Sequence, residues 1–376
     1  MLSREGKMKL IEKRNSPAYL RAANKRGLRK CVSNFNKNSS SKLARNGSKY
    51  EAARIKIVAP SVLDLSKLKN HDLMVDFVDQ IKTEARKGRV HKIAQVHLCF
   101  RETKMITSSG GLWLLANLER LNYESPFVKY SVTRPPATRM NQNDNNRYPV
   151  VDSVMNWIWI YAALGKQKRE MRQLPMVDCW EATRGSQVAS AKVGQLLEKV
   201  TVSTGQNHQA LYRPLVEAMS NSVEHAYRTD LYQSEQPVIK WWCFATIMNN
   251  KLIALVCDLG LGISKTLPKT QSKTFFTNII DFIGHSLSSD SDFIRASLQL
   301  KKSATKLDYR GKGGPDLKSI IEKIPNAKLA IYSNRGSYSY TNRGKANPET
   351  WFDHKKSING TIVECSLDLP TQGKRI

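Results

Sequence analysis

Residues 258–263, DLGLGI, follow directly on the apolar run LIALVC at residues 252–257. An apolar run of this length predicts a buried β-strand, which would deliver the Asp258 carboxylate to the edge of its sheet. Gly260 and Gly262 would then allow another group to approach the backbone closely at that edge. Because an Asp with two glycines also makes an ordinary turn, the meaning of this stretch depends on what the fold places beside it.

The sequence before this strand predicts a helix and a hairpin. Residues 206–227 predict a helix because their apolar and small residues share one stripe: Leu211, Leu215, Ala218, Met219, Ser222 and Ala226. Two β-rich runs follow, VIKWWCFATIM and LIALVCD, with Asn249, Asn250 and Lys251 between them. Asn tolerates positive φ, so we expect a tight hairpin whose second strand ends at Asp258.

Three polar residues of EAMSNSVEHAY, residues 217–227, share one face of that predicted helix. Glu217, Asn221 and His225 recur every four residues and so fall within about 80° of arc. A carboxylate one turn from a carboxamide suits a water-activating base beside an oxygen ligand for Mg²⁺. On an isolated helix the same pattern would indicate a solvated polar face.

Two further blocks follow a polar segment of nearly fifty residues. Residues 309–321, YRGKGGPDLKSII, combine a glycine-rich turn with the start of a predicted helix. Such a turn brings backbone N–H groups and a helix N-terminus close to a phosphate chain, and Lys312 adds positive charge. Residues 359–370, NGTIVECSLDLP, predict a final strand that begins after Gly360 and Thr361.

These four blocks, in this order, resemble the GHKL or Bergerat-fold ATP-binding family, which includes gyrase-type topoisomerases, histidine kinases and anti-sigma-factor serine kinases. The motif EAMSNSVEHAY is most similar in sequence to the corresponding motif of the anti-sigma kinases. The resemblance implies an α/β chain with a Bergerat-type α+β sandwich over residues 176–376, with ATP and Mg²⁺ as its ligands. It also implies a mobile lid over about residues 264–310.

The same resemblance assigns a role to each matching residue. Glu217 would be the base that activates water or a hydroxyl, and Asn221 would hold Mg²⁺ against the phosphates. Asp258 would accept a hydrogen bond from the adenine amino group, and Thr361 would support Asp258 through its hydroxyl. The remaining residues would complete the nucleotide site, the last four along the phosphates: His225, Gly260, Gly262, Ile263, Gly311, Lys312, Gly313 and Gly314.

The second glycine block departs from the family pattern. Pro315 and Asp316 follow Gly314, where the family usually has a Gly–Leu pair entering the helix. Proline is physically acceptable in the first helical turn, because its missing N–H would be unpaired there in any case. Four cations in or beside the lid would either reach a γ-phosphate or lie in solvent as ordinary surface charges: Lys265, Lys301, Lys302 and Arg310.

Residues 51–170 alternate short β-rich runs with helix patterns, which predicts a small α/β domain. Within it, VHLCFRETKMITSSGGLWLLANLERL, residues 96–121, resembles the STAS domain of anti-sigma-factor antagonists, with Thr107 in place of the family's Asp. In that family the first Ser of the turn is the phosphoacceptor, which here would be Ser108. Ser and Thr at a helix start are also common N-caps, which is the simpler interpretation.

The formal net charge of +28 favours an anionic partner. Residues 1–50 hold fourteen Lys or Arg and two Glu, which predicts a disordered basic arm that binds nucleic acid or an acidic protein face. We expect no membrane association and a cytoplasmic location, because the sequence contains neither a long apolar run nor a signal-peptide pattern. The residues do not decide whether the chain forms a homodimer.

Three functions fit these patterns. The first is a regulatory ATPase that binds Mg-ATP and whose nucleotide-driven conformational change controls binding to a nucleic acid or protein partner. The second is a serine/threonine protein kinase of the anti-sigma type, acting on a partner or on its own STAS-like domain. The third is a non-catalytic ATP-sensing adaptor. A two-component histidine kinase is disfavoured because no predicted helix carries its phosphoacceptor His–Glu pattern.

Overall fold

The computed structural model describes residues 54–91, 94–139, 146–167, 169, 174, 177–179, 182–204, 209–248, 250–284, 286–299, 313–342 and 348–369. The predicted basic arm of residues 1–50 lies outside these ranges. So do two of the predicted phosphate-binding residues and three of the lid cations: Gly311, Lys312, Lys301, Lys302 and Arg310.

Helices and strands occur in both halves of the described chain, which confirms the expected mixed α/β class. The strands are β1 Arg54–Val58, β2 Val62–Leu63, β3 Ala94–Cys99, β4 Met105–Ile106, β5 Val128–Thr133, β6 Val177–Cys179, β7 Thr183–Gly185, β8 Trp241–Met248, β9 Lys251–Asp258, β10 Lys328–Ser333, β11 Gly336–Thr341, β12 Glu349–Asp353 and β13 Thr361–Asp368. The helices are α1 Leu68–His91, α2 Ser108–Glu124, α3 Val150–Trp157, α4 Ile160–Ala163, α5 Ser190–Thr204, α6 Gln209–Glu224, α7 Ile263–Thr270, α8 Lys273–Ile283, α9 Asp290–Leu298 and α10 Gly313–Glu322.

The described residues divide into two compact units. The first contains the described residues up to Ser61, together with Asp76–Lys104 and Asn117–Glu170. The second contains Val62–Val75, Met105–Ala116 and the described part of Met171–Ile376. The first turns of α1 and α2 therefore count with the second unit, although both helices lie in the first half of the sequence.

The first unit is built on a three-stranded parallel sheet in the order β1-β3-β5. One face of this sheet is apolar and buried, and carries Ile57, Val96, Leu98 and Tyr130. Two rings add to the core of this unit, because Phe77 of α1 meets Phe100 edge-on at a centroid distance of 5.8 Å. The alternation of the strands thus gives this sheet one buried, apolar face.

The second unit is built on an antiparallel sheet in the order β12-β11-β10-β13-β9-β8-β6, with β7 also paired to β8. Four helices, α5, α6, α9 and α10, bury their apolar stripes on one face of it. Alternate strand residues point into this core, including Trp241, Val256, Ile331, Tyr338 and Val363. The sheet therefore supports α6, the helix that carries the predicted polar face.

The opposite face of this sheet contacts the two stretches from the first half of the sequence. Ser108 Oγ at the start of α2 donates to Glu364 Oε2 of β13 at 3.1 Å. Trp113 of α2 is fully buried, and its Nε1 donates to the Ile358 carbonyl oxygen at 3.1 Å. The stretches around α1 and α2 are therefore structural parts of the second unit.

Two histidines stack at this contact. The rings of His71, in α1, and His354, after β12, lie 3.5 Å apart with an angle of 7° between their planes, and each is 1% exposed. His71 Nδ1 lies 3.4 Å from Asp72 Oδ1, which also accepts a hydrogen bond from the Lys356 N–H. Among the described residues neither ring nitrogen of His354 has a hydrogen-bond partner.

Two sequence-based expectations concern the region after α6. The tight hairpin between β8 and β9 is confirmed, because Met248 pairs with Lys251 and Asn250 has a φ of +57°. The predicted lid segment contains α7, α8 and α9, so its first part is helical. Leu267, Phe275, Ile279 and Ala296 form a small apolar cluster that holds these helices together.

Candidate functional site

A cavity of about 160 Å³ opens in the second unit at the end of β9. Six residues predicted from the sequence line it: Asn221, His225, Asp258, Gly262, Ile263 and Thr361. Apolar side chains make up much of the remaining wall, among them Val256, Leu267, Leu298, Leu317, Ile331 and Val363. The fold thus brings the end of α6, the end of β9, the start of α7 and the start of β13 to one place.

Asp258 is the polar centre of this wall, although it is 5% exposed. Its carboxylate accepts hydrogen bonds from Gly260 N at 2.9 Å and Ser222 Oγ at 3.3 Å. Burial raises the pKa of Asp258 to about 7, and the donors, which include the backbone N–H of Thr361, partly offset that rise. Because a carboxylate has about four acceptor positions, it can take a further hydrogen bond from a ligand.

Thr361 stands opposite Asp258 in the pairing of β13 with β9. Its backbone N–H helps to lower the pKa of Asp258, whereas its hydroxyl lies 3.1 Å from Ser333 Oγ. Ser333 Oγ in turn accepts a hydrogen bond from the Ile263 N–H at 2.8 Å. The Thr361 hydroxyl thus joins the network that holds the start of α7, and the support of Asp258 that the resemblance assigned to this hydroxyl stays a prediction.

Contacts within the fold explain why glycine is required at positions 260 and 262. A Cβ on Gly260 would collide with the backbone oxygen of Ala226, which follows α6. Gly262 has a φ of +80°, and a Cβ there would collide with the side chain of Asn334. The close approach that the sequence predicted is thus an approach of protein to protein, so the glycines alone do not require a nucleotide.

The end of EAMSNSVEHAY holds the DLGLGI turn in place. The Tyr227 hydroxyl accepts a hydrogen bond from Leu259 N at 2.9 Å, and the Ala226 carbonyl accepts one from Leu261 N at 2.9 Å. The two sequence blocks are therefore physically coupled. Together these contacts fix Asp258 beside the end of α6.

Asn221 and His225 present the polar groups of the α6 end to the cavity. Asn221 is exposed and His225 is half-buried. Burial lowers the pKa of His225, Glu224 raises it by a smaller amount, and Arg228 lowers it further. A carboxamide and a neutral imidazole can together accept and donate hydrogen bonds at the mouth of the site.

Glu217 lies on α6 one turn before Asn221 and is partly buried. It is not among the residues that line the cavity. Among the described residues, no group of three or more His, Cys, Asp or Glu is arranged to hold a metal ion. The predicted Mg²⁺ contact of Asn221 and the predicted base role of Glu217 stay predictions.

The glycine-rich block leads into α10, which begins at Gly313 and Gly314. Leu317, on the first turns of this helix, lines the cavity. Since Gly311 and Lys312 lie outside the described residues, the structure covers the predicted base-binding end more fully than the phosphate end. The helical start itself agrees with the expectation that Pro315 is tolerated in a first helical turn.

Ser108, the candidate phosphoacceptor, lies at the start of α2 and is partly buried. Thr107 acts as the helix cap, because its Oγ1 accepts a hydrogen bond from Gly110 N at 3.2 Å. The Ser108 hydroxyl donates to Glu364, whose pKa burial raises. Glu364 points to the face of β13 opposite Val363, which lines the cavity.

Sequence reasoning missed three polar residues that organise the site: Ser222, Ser333 and Asn334. Ser222 interrupts the apolar stripe of α6, and this interruption is the signal that could have singled it out. Ser333 and Asn334 come from the end of β10 and the turn after it, and Asn334 Nδ2 donates to the Leu261 carbonyl at 3.0 Å. They reach the site through strand pairing over a long sequence separation, which leaves no local signal.

No protein-family model matches the chain, and no curated protein matches it significantly. Among the described helices, none combines the length and the apolar composition needed to cross a membrane.

Proposed function

We propose that the second unit is a Bergerat-type module that binds ATP, with Asp258 accepting a hydrogen bond from the adenine amino group. The observation that carries this proposal is a buried carboxylate, held by neutral donors, in the wall of a largely apolar cavity. Burial of a charged group is costly, and perturbed carboxylates in clefts are typical of binding sites. A purine ring against the apolar wall would bring its amino group to this carboxylate.

The residues at the other end of the module suit the charged part of ATP. Asn221 would give Mg²⁺ one oxygen ligand, and the bound ion would neutralise phosphate charge. The glycine-rich turn before α10, with Gly311 and Lys312, would take the phosphates through backbone N–H groups and one ammonium. These assignments rest on the donor types and on the helical start at Gly313.

This module would make the protein a regulatory ATPase. ATP binding would close helices α7, α8 and α9 over the nucleotide and so change the affinity for a partner. The +28 charge and the basic residues 1–50 support nucleic acid as that partner, with an acidic protein as the alternative. The position of Glu217 outside the cavity wall favours a second candidate, a non-catalytic ATP-sensing adaptor. For a kinase, the contact of Ser108 with Glu364 favours a partner protein as substrate over Ser108 itself.

Calorimetric titration of the full chain with ATP tests the binding. We expect Mg²⁺-dependent affinity that Asp258→Asn lowers by about tenfold or more, since a charged hydrogen bond to the base is lost. Asp368→Asn is the matched control, because Asp368 is an exposed carboxylate paired with Lys251 at the far end of β13. Absence of ATP affinity in the wild-type chain, or equal losses in the two variants, would contradict the proposal.

Incubation with γ-labelled ATP separates the candidate functions. Free labelled phosphate indicates an ATPase, and acid-stable label on a protein indicates a kinase. Tight binding with neither product indicates the adaptor. Glu217→Ala should abolish phosphate release if Glu217 is the base, and unchanged turnover in that variant would remove Glu217 from the mechanism.

A further inference from the structure

The parallel sheet of the first unit has one face that the described residues leave partly exposed. Strand register fixes its rows: Gln95 beside Lys129, Lys56 beside His97 and Ser131, and Val58 beside Cys99 and Thr133. Lys56 and Lys129 are exposed, and Val58 is 53% exposed. We call these three rows the open face.

Such a face is unusual for parallel strands. Sheets made only of parallel strands are normally covered by helices on both sides, and their strands are apolar throughout. Here the opposite face follows that rule, with Ile57, Leu98 and Tyr130 buried. The open face instead carries polar and basic side chains in two of its rows, whereas Val58 and the buried Cys99 lie beside Thr133 in the third. The two polar rows indicate a surface suited to a polar partner.

The chemistry of the open face selects an anion. The three strands, RIKIV, AQVHLC and VKYSVT, contain no acidic residue. His97 bridges two hydroxyls on β5, with its Nδ1 2.9 Å from Ser131 Oγ and its Nε2 2.9 Å from Thr133 Oγ1. Two ammonium groups beside a row of hydroxyl and imidazole groups match the donors that contact phosphate oxygens in protein–nucleic-acid complexes.

We propose that the open face binds the phosphodiester backbone of nucleic acid. The face has no Phe, Tyr or Trp side chain, and the ring of His97 is held by hydroxyls of β5, so contact with the backbone rather than with bases is expected. The basic residues 1–50 shortly precede β1 and add charge of the same sign. That shared sign argues against the arm as the cover of this face and for a polyanion that both would contact.

Fluorescence anisotropy with labelled single-stranded DNA, RNA and duplex DNA tests this proposal on the full chain without ATP. We expect Lys56→Glu with Lys129→Glu to weaken binding by about tenfold or more and to reduce the salt slope by about 1.4 to 1.8. Lys56→Arg with Lys129→Arg should keep both. Lys323→Glu with Lys355→Glu, two exposed lysines of the second unit, makes the same change of net charge and should have little effect.

If both double Lys→Glu variants lose the same affinity for nucleic acid, the loss reflects overall charge and the proposal is overturned. Unchanged binding in the variant of Lys56 and Lys129 would also overturn it. Titration with polyglutamate tests whether the partner is an acidic protein. If polyglutamate binds more tightly than nucleic acid, and if this binding depends on Lys56 and Lys129, the partner is an acidic protein and the proposal fails. Because ATP is absent, none of these results depends on the nucleotide site.

Discussion

At the level of single residues, Asp258 combines deep burial with hydrogen bonds from neutral donors. Its pKa of about 7 lies well above the ordinary value of an aspartic acid, so the folded chain holds the proton more tightly than the unfolded chain does. The fold is therefore destabilised as pH rises from about 4 to about 7. The energy involved is on the order of 4 kcal/mol at most.

Asp258→Asn should stabilise the second unit at pH 8 while it weakens ATP binding. The amide keeps an acceptor for the Gly260 N–H and can donate to Ser222 Oγ, but it carries no charge to bury. We expect a higher melting temperature at pH 8 and loss of the decline in stability between pH 4 and 7. Thermal unfolding across this pH range, compared with wild type, measures both. A less stable variant at pH 8 would show that the charge is compensated in the fold.

Gly260→Ala should destabilise the second unit by about 1 to 3 kcal/mol, because the added methyl group meets the Ala226 backbone. Gly194→Ala is the matched control within α5. There the nearest atom is Tyr212 Cε2 at 3.7 Å, an ordinary contact, so a helical Ala should stabilise by about 0.5 to 1 kcal/mol. Urea unfolding of both variants should give opposite signs, and two equal effects would refute the packing argument.

Single residues with local signals could be predicted from the sequence, and residues placed by distant pairing could not. Asp258 follows an apolar run, and Asn221 and His225 repeat at helical spacing, so their type and position are visible in the sequence. The structure does bring these three to one cavity. Ser333 reaches Thr361 through the pairing of β10 with β13, which no window of the sequence contains.

At the level of elements, the stacked pair of His71 and His354 links the start of α1 to the turn after β12. Burial lowers the pKa of both rings, that of His354 to about 4. His354 also faces His71, which lowers its pKa further, and Asp72, Asp353 and Asp64, which raise it. The contact is therefore made for two neutral rings.

His354→Phe should remove much of the acid sensitivity of the second unit. Both histidines have folded pKa values below the unfolded value of about 6.5, so stability is present above that pH and is lost as pH falls toward 4. For His354 the loss is on the order of 3 kcal/mol. Chemical denaturation at pH 7 and pH 4 measures it. His225→Gln keeps the stacked pair but removes another histidine whose pKa burial lowers, so it should reduce the acid slope by less than His354→Phe does. An unchanged slope in His354→Phe would exclude the pair as its cause.

The β8–β9 hairpin was predicted from its local pattern, whereas the helices of the lid segment were missed although a local pattern was present. The β8–β9 hairpin carries its own turn chemistry in Asn250, which takes a φ of +57°. The sequence analysis described the lid segment only as polar and did not predict that α8 places Phe275 and Ile279 in an apolar cluster, and the mobility of this segment stays a prediction. Helical periodicity in KTFFTNIIDFI is the signal that was available there.

At the level of the whole molecule, the second unit draws on three separate stretches of sequence. A boundary near residue 176 would leave out Val62–Val75 and Met105–Ala116. The contact of Ser108 with Glu364 and that of Trp113 with Ile358 would then be lost. Such long-range membership of a unit has no compositional signal, so the sequence could not reveal it.

A fragment of residues 176–376 should therefore aggregate, whereas residues 54–376 should remain soluble. Without the two early stretches, buried groups such as Tyr332 and Ile362 on the second face of the sheet lose cover. Size-exclusion chromatography and binding of a hydrophobic dye measure the difference. A monomeric, cooperatively unfolding 176–376 fragment would contradict this account of the unit.

Removal of residues 1–50 should lower the affinity for nucleic acid and the dependence of that affinity on salt. This segment holds fourteen Lys or Arg and two Glu, so each phosphate contact it makes releases a counterion. Anisotropy titrations over a range of salt concentrations measure the slope. An unchanged slope would assign the binding to other surfaces, and ATP affinity should stay the same because the cavity lies in the second unit.

The last strand along the described chain, β13, occupies an interior position of its sheet, between β10 and β9. During translation, β8 and β9 emerge from the ribosome long before the neighbour that completes their sheet. Until β13 arrives, the free edge of β9 can pair with other chains, as unfinished sheets do. Synthesis of this protein should accordingly benefit from a chaperone that shields β9 and from rapid translation of the codons of residues 259–360, which shortens the time for which the edge is free.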